Sequence, residues 1–75
     1  MNNDRRLKIT YDEPNSEITI RGNKNGLEYL ASCCLSIIGK TDNSAHIHLQ
    51  WQMNNLNEGS IETVLVFSDD AEDYE

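Results

Sequence analysis

The chain is poor in the residues that usually announce chemistry. It holds two cysteines, one proline, four glycines and one tryptophan in 75 residues. Two cysteines cannot build a disulfide scaffold. Here they are neighbours, Cys33 and Cys34, and adjacent helical side chains diverge by about 100° and rarely bridge. Both are read as reduced thiols of a cytoplasmic protein. No glycine cluster makes a phosphate loop or a dinucleotide fingerprint. Ser60 follows Gly59 but lacks the flanks of a nucleophile elbow. No apolar run approaches the ~20 residues of a membrane span, and the first residues show no signal-peptide core. Bases are scarce as well: six Lys and Arg against thirteen Asp and Glu give a formal charge of −7. That excess argues against direct binding to nucleic acid or anionic lipid, and favours a basic protein partner.

The charge is uneven. Asp69, Asp70, Glu72, Asp73 and Glu75 crowd the last seven residues, leaving eight acids against six bases in residues 1–68, a charge of −2. The acidic tail reads either as a solubilising extension or as a steering element for a partner. Ahead of it the length allows one domain. Residues 1–6 read as a frayed lead-in and residues 7–68 as the folded body.

That body is organised around Lys24–Gly39, the only helical stretch. Leu27, Leu30, Ala31, Cys34, Leu35 and Ile38 recur at spacings of three and four and predict a core-facing stripe. Asn23 is the expected N-cap, with Asn25 and Glu28 as a competing capping box. Gly39 fits a left-handed C′ position, and Lys40 adds a cation near the negative end of the dipole. Tyr29, Cys33 and Ile37 form a second stripe, which either widens the buried face or offers a flank to a partner.

Strands flank the helix on both sides. Leu7, Ile9 and Tyr11 alternate with polar residues, as do Ile18 and Ile20, around a turn at Glu13–Ser16 with Pro14 in its second position. Pairing Asp12 with Glu17 puts both apolar sets on one side but sets Lys8 opposite Arg21, so a two-residue shift stays open. After a polar loop at Thr41–Ser44, Ala45–Trp51 reads as a third strand with Ile47, Leu49 and Trp51 inward. Trp51 is read as core or as an interface anchor. Ile61–Ser68 reads as a fourth, with Ile61, Thr63, Leu65 and Phe67 inward and Val64 and Val66 on the reverse. A strand apolar on both faces belongs inside a sheet or under a cover. The long connection 52–60 carries Met53 and Leu56, to cap the core or touch a partner. The expected fold is α+β: ββαββ, one mostly antiparallel four-stranded sheet with the helix across one face. Its spatial order is 1-2-4-3 or 2-1-3-4.

The open sheet face would hold His46, His48, Gln50 and Glu62, with Asp69 and Asp70 close behind. His46 and His48 form an H-x-H on one face, a spacing that can place two imidazoles on one metal. Two ligands do not make a site, and Glu62 is the only obvious third, so no metal and no cofactor is assigned. The cysteines lie mid-helix, away from any histidine base, so thiol catalysis is unsupported. The residues read as a binding surface without catalytic machinery.

Ile18-Thr19-Ile20-Arg21-Gly22-Asn23 running into Gly26-Leu27-Glu28-Tyr29-Leu30-Ala31, then His46-Ile47-His48-Leu49 and Glu58-Gly59-Ser60, carry a family likeness over residues 17–67. The chain resembles the small α+β immunity proteins of bacterial polymorphic toxin systems, in particular immunity protein family 32. The resemblance implies a cytoplasmic protein that binds and blocks a cognate toxin domain, without catalysis; the acidic charge adds that a basic nuclease would suit as that toxin. The alternative reading is a homo-oligomeric structural or regulatory domain, homodimeric through the sheet face or the helix flank; a metal-dependent enzyme comes third.

Overall fold

The computed structural model describes residues 4–39 and 45–74. The element order is β1 (Leu7–Asp12), β2 (Glu17–Gly22), α1 (Lys24–Ile38), β3 (His46–Leu49) and β4 (Thr63–Val66), with short 3-10 turns at Trp51–Met53 and Ala71–Tyr74. The α+β class and the order ββαββ stand. The single four-stranded sheet does not: β1–β2 and β3–β4 are separate two-stranded antiparallel sheets.

The reason lies on the free edge of β1. Its backbone is already occupied by the connection ahead of β4. Asn57 N–H donates to Leu7 O at 2.7 Å and Ile61 N–H to Ile9 O at 2.8 Å. In return Leu7 N–H donates to Asn57 Oδ1 at 2.7 Å, and Ile9 N–H to Ser60 Oγ at 3.1 Å. Two side chains thus accept the bonds that a fourth strand's carbonyls would have accepted, and the edge is satisfied without a strand. Asn55 does the same beyond β3, accepting from Gln50 N–H at 2.8 Å and donating to His48 O at 3.1 Å. β4 pairs with β3 alone. The occupied edge of β1 rules out the order 2-1-3-4, and 1-2-4-3 is not realised because β2 and β4 do not pair.

The first hairpin takes the register that pairs Asp12 with Glu17 and Lys8 with Arg21. Asn15 Nδ2 donates to Asp12 Oδ2 at 2.7 Å, which eases the acidic pair. Pro14 holds the second place of a turn closed by Ser16 N–H to Glu13 O at 3.1 Å, and Ser16 leaves it with φ 53.

The helix keeps its predicted N-cap. Asn23 Oδ1 accepts from Gly26 N–H at 2.8 Å and from Arg6 N–H at 3.0 Å, while Asn23 N–H donates to Arg6 O at 3.1 Å. One asparagine ties the helix start to the chain entering β1. At the other end Gly39 is right-handed (φ −77, ψ −11), not left-handed. Lys40 and the Thr41–Ser44 loop lie outside the described residues.

The rotation of the helix is the main correction. Of the expected core stripe only Leu30 packs inward; Leu27, Ala31, Cys34, Leu35 and Ile38 are exposed. The buried face is Gly26, Cys33 and Ile37, with Tyr29 and Leu30 packed beside them. The cause is steric. A Cβ at Gly26 would sit 1.7 Å from Arg6 O, so Gly26 is where the helix backbone meets β1's lead-in. Residues 30, 33 and 37 share its face at i+4, i+7 and i+11.

The core is small: Leu7, Ile9, Cys33, Leu49 and Leu56, with Ile47 and Leu65 packed against it from β3 and β4. Leu56, from the connection, caps it, while Met53 stays exposed. Tyr29 lines its edge with the Arg5 guanidinium 3.9 Å from its ring centre. Burial pushes the Tyr29 phenol above its ordinary pKa, and a hydrogen bond with Cys33 adds to the shift. Further core expectations change. Trp51 starts a 3-10 turn and is exposed, Ile61 precedes β4 and is exposed, and Tyr11 on β1 and Ile18 and Ile20 on β2 are about half exposed.

Candidate protein-binding face

The outer face of β3–β4 is built by period-2 alternation. Ile47 and Leu49 point to the core, so His46 and His48 point outward. The register sets His46 opposite Val66 and His48 opposite Val64. Val64 and Val66 are about half exposed, so the second apolar face of β4 is neither interior nor covered. The outcome is a stripe of two imidazoles beside two valines. The two rings pack edge to face with centroids 5.0 Å apart.

The other sequence candidates lie just beyond the ends of the two strands. Gln50 is half-buried just past β3, held through its N–H by Asn55. Glu62 is exposed one residue before β4. Asp69 and Asp70 are exposed three and four residues beyond it. Among the described residues no group of three His, Cys, Asp or Glu is arranged to hold a metal.

The tail folds back on itself. Ser68 Oγ donates to Asp73 Oδ2 and accepts from Asp70 N–H. Tyr74 Oη donates to Ser68 O at 2.9 Å, and Glu72 N–H donates to Asp70 Oδ1 at 3.1 Å. Ser68 thereby acts as a local hub, and the acids project from a turn that follows directly on β4.

One feature escaped the sequence reading. Arg6, Lys8 and Arg21 line a cavity of about 510 Å³ with Asn23, Asn57 and Glu58. The cross-strand Lys8–Arg21 pair was its visible signal. This basic spot lies on the first hairpin, so the acidic excess is not spread evenly over the body.

The family model described as Immunity protein 32 matches residues 17–69, more than half of the chain. That span takes in β2, α1, β3 and β4. No curated protein and no solved structure matches. Among the described residues no helix is long and apolar enough to cross a membrane.

Proposed function

We propose, since the chain belongs to the Immunity protein 32 family, that it binds a cognate bacterial toxin domain through the outer face of β3–β4 and blocks it. The observation that supports this reading most is the uncovered stripe of His46, His48, Val64 and Val66. It offers desolvatable apolar area flanked by hydrogen-bonding groups, which is how interface centres are composed. His46, His48, Gln50 and Glu62 make the direct contacts, with Asp69 and Asp70 at the margin. Inhibition of this kind needs occlusion and no reaction of its own, so the protein acts in the cytoplasm by binding, without catalysis.

The charge adds direction. A protein of charge −7 approaches a basic nuclease down a favourable potential, which raises association rates and makes them salt-dependent. The test is stopped-flow association with the purified domain of any toxin whose gene adjoins this one. Removing residues 69–75 slows association by about tenfold at low salt and changes dissociation far less. The difference shrinks as salt is raised. Equal on-rates for intact and tail-less protein would refute steering by the tail. No inhibition of that toxin by the intact protein would refute the function itself.

A further inference from the structure

The rotation of α1 leaves an apolar surface that the described residues do not cover. Tyr11, Ile18 and Ile20 on the first hairpin, and Leu27, Leu35 and Ile38 on the helix, are each 47–64 % exposed. The hairpin residues share one face, because Tyr11 pairs with Ile18 and Ile9 with Ile20. Leu27 joins the helix stripe to that face, its Cγ lying 3.1 Å from where a Cβ on Gly22 would be. Together the six side chains expose roughly 600 Å² per chain, at the upper end of the largest apolar patch on a typical monomer.

The geometry points to a second copy of this chain as the cover, in a two-fold dimer with the α1 helices antiparallel. Three observations favour a copy over another occupant. Roughly 600 Å² from each of two chains makes about 1,200 Å² in all, the lower bound of a standard stable interface. The helix carries no Asp, Glu, Lys or Arg from Tyr29 to Gly39. Two molecules of charge −7 repel across most of their surfaces, and the uncharged stretch of the helix is where they can meet, its N-terminal end carrying only the neutralised Lys24–Glu28 pair. A basic partner would instead be drawn to the acids elsewhere.

The third observation is the pattern. Leu27, Ala31, Cys34 and Ile38 are spaced four, three and four, which reads the same in both directions. An antiparallel copy centred between residues 32 and 33 sets Leu27 of each chain against Ile38 of the other, and Ala31 against Cys34. Such self-complementarity is what a two-fold interface requires. The large side chains fall at the ends and the small ones at the axis, where the backbones approach closest. Leu35 and the hairpin residues flank the seam.

Sedimentation equilibrium on the full chain tests this. The intact protein is expected at twice its 8.6 kDa chain mass. Ala31→Arg puts a charge at the axis on an exposed position with good helix propensity, so the monomer keeps its helical circular dichroism. Its dimer dissociation constant is expected to rise at least a hundredfold. A short bismaleimide is expected to link intact chains through the exposed Cys34, and to fail with Cys34→Ser. A monomeric intact protein into the high micromolar range overturns the proposal, as does an unchanged dimer in Ala31→Arg. If the intact chain is monomeric and Ala31→Arg loses toxin binding, the surface belongs to the toxin and the second copy is likewise refuted. Failure here leaves the β3–β4 reading standing, because the two surfaces share no residue.

Discussion

Gly26→Ala is expected to destabilise the protein by about 3 kcal/mol or more, against the direction that helix propensity sets. In an exposed helix interior the same change gains close to 1 kcal/mol. Here the new Cβ would stand 1.7 Å from Arg6 O and 2.6 Å from Arg6 C. Neither atom is the free end of a flexible side chain. Arg6 O accepts from Asn23 N–H, and Arg6 N–H donates to the same Asn23 oxygen that caps the helix. Moving the strand away breaks those bonds and loosens the cap, itself worth about 1 kcal/mol. Gly39→Ala is the control. Its added Cβ meets only carbonyl oxygens at 3.6 Å, and its backbone is right-handed, so the change lies within about 0.5 kcal/mol. Urea denaturation of the two variants beside the parent measures both. A Gly26→Ala midpoint equal to or above the parent's would show that the helix does not seat against β1 as described.

The same contact explains how much of the fold was legible in the chain. Local signals came through: the Asn23 cap, the Pro14 turn and the inward positions Ile47 and Leu49 all follow from short-range chemistry, whereas the hairpin register, left open by two residues, is set by the structure. The helix rotation did not. Leu27, Ala31, Cys34, Leu35 and Ile38 make a more apolar stripe than Gly26, Leu30, Cys33 and Ile37, and periodicity favours the former. Yet tertiary docking selects the face on which the backbone can come close, and only a glycine supplies that. A glycine inside a helical pattern, three residues after a cap, was the signal. The sheet split was hidden for a related reason. Asn55, Asn57 and Ser60 look like loop polarity, but their side chains serve as strand partners. That requires a long-range pairing that no local window contains. The outward stripe of His46 and His48 was legible because alternation alone sets it. Its apolar half was read as needing cover, which the structure leaves off.

Leu49→Ala is the second large effect, and it separates the fold from the face. Leu49 is fully buried at the meeting point of β3, the helix and the connection. Truncating such a leucine removes its packing and leaves a cavity, at about 2–5 kcal/mol. A chain this size has roughly 4–11 kcal/mol to lose, and its core cluster has five buried members among the described residues, of which Leu49 is one of the two most deeply buried. Thermal unfolding should therefore shift down by about 8 °C or more, since each kcal/mol is about 4–8 °C for a domain of this length. His48→Ala, one residue earlier, should leave the melt nearly unchanged, because its side chain is exposed on the opposite side of the strand. Under the proposed function His48→Ala weakens toxin binding, whereas Leu49→Ala at a temperature where it stays folded does not. Melting curves and toxin titrations on the two variants supply both readouts. A stable Leu49→Ala would place the core elsewhere, and a His48→Ala with unchanged affinity would take that imidazole out of the interface.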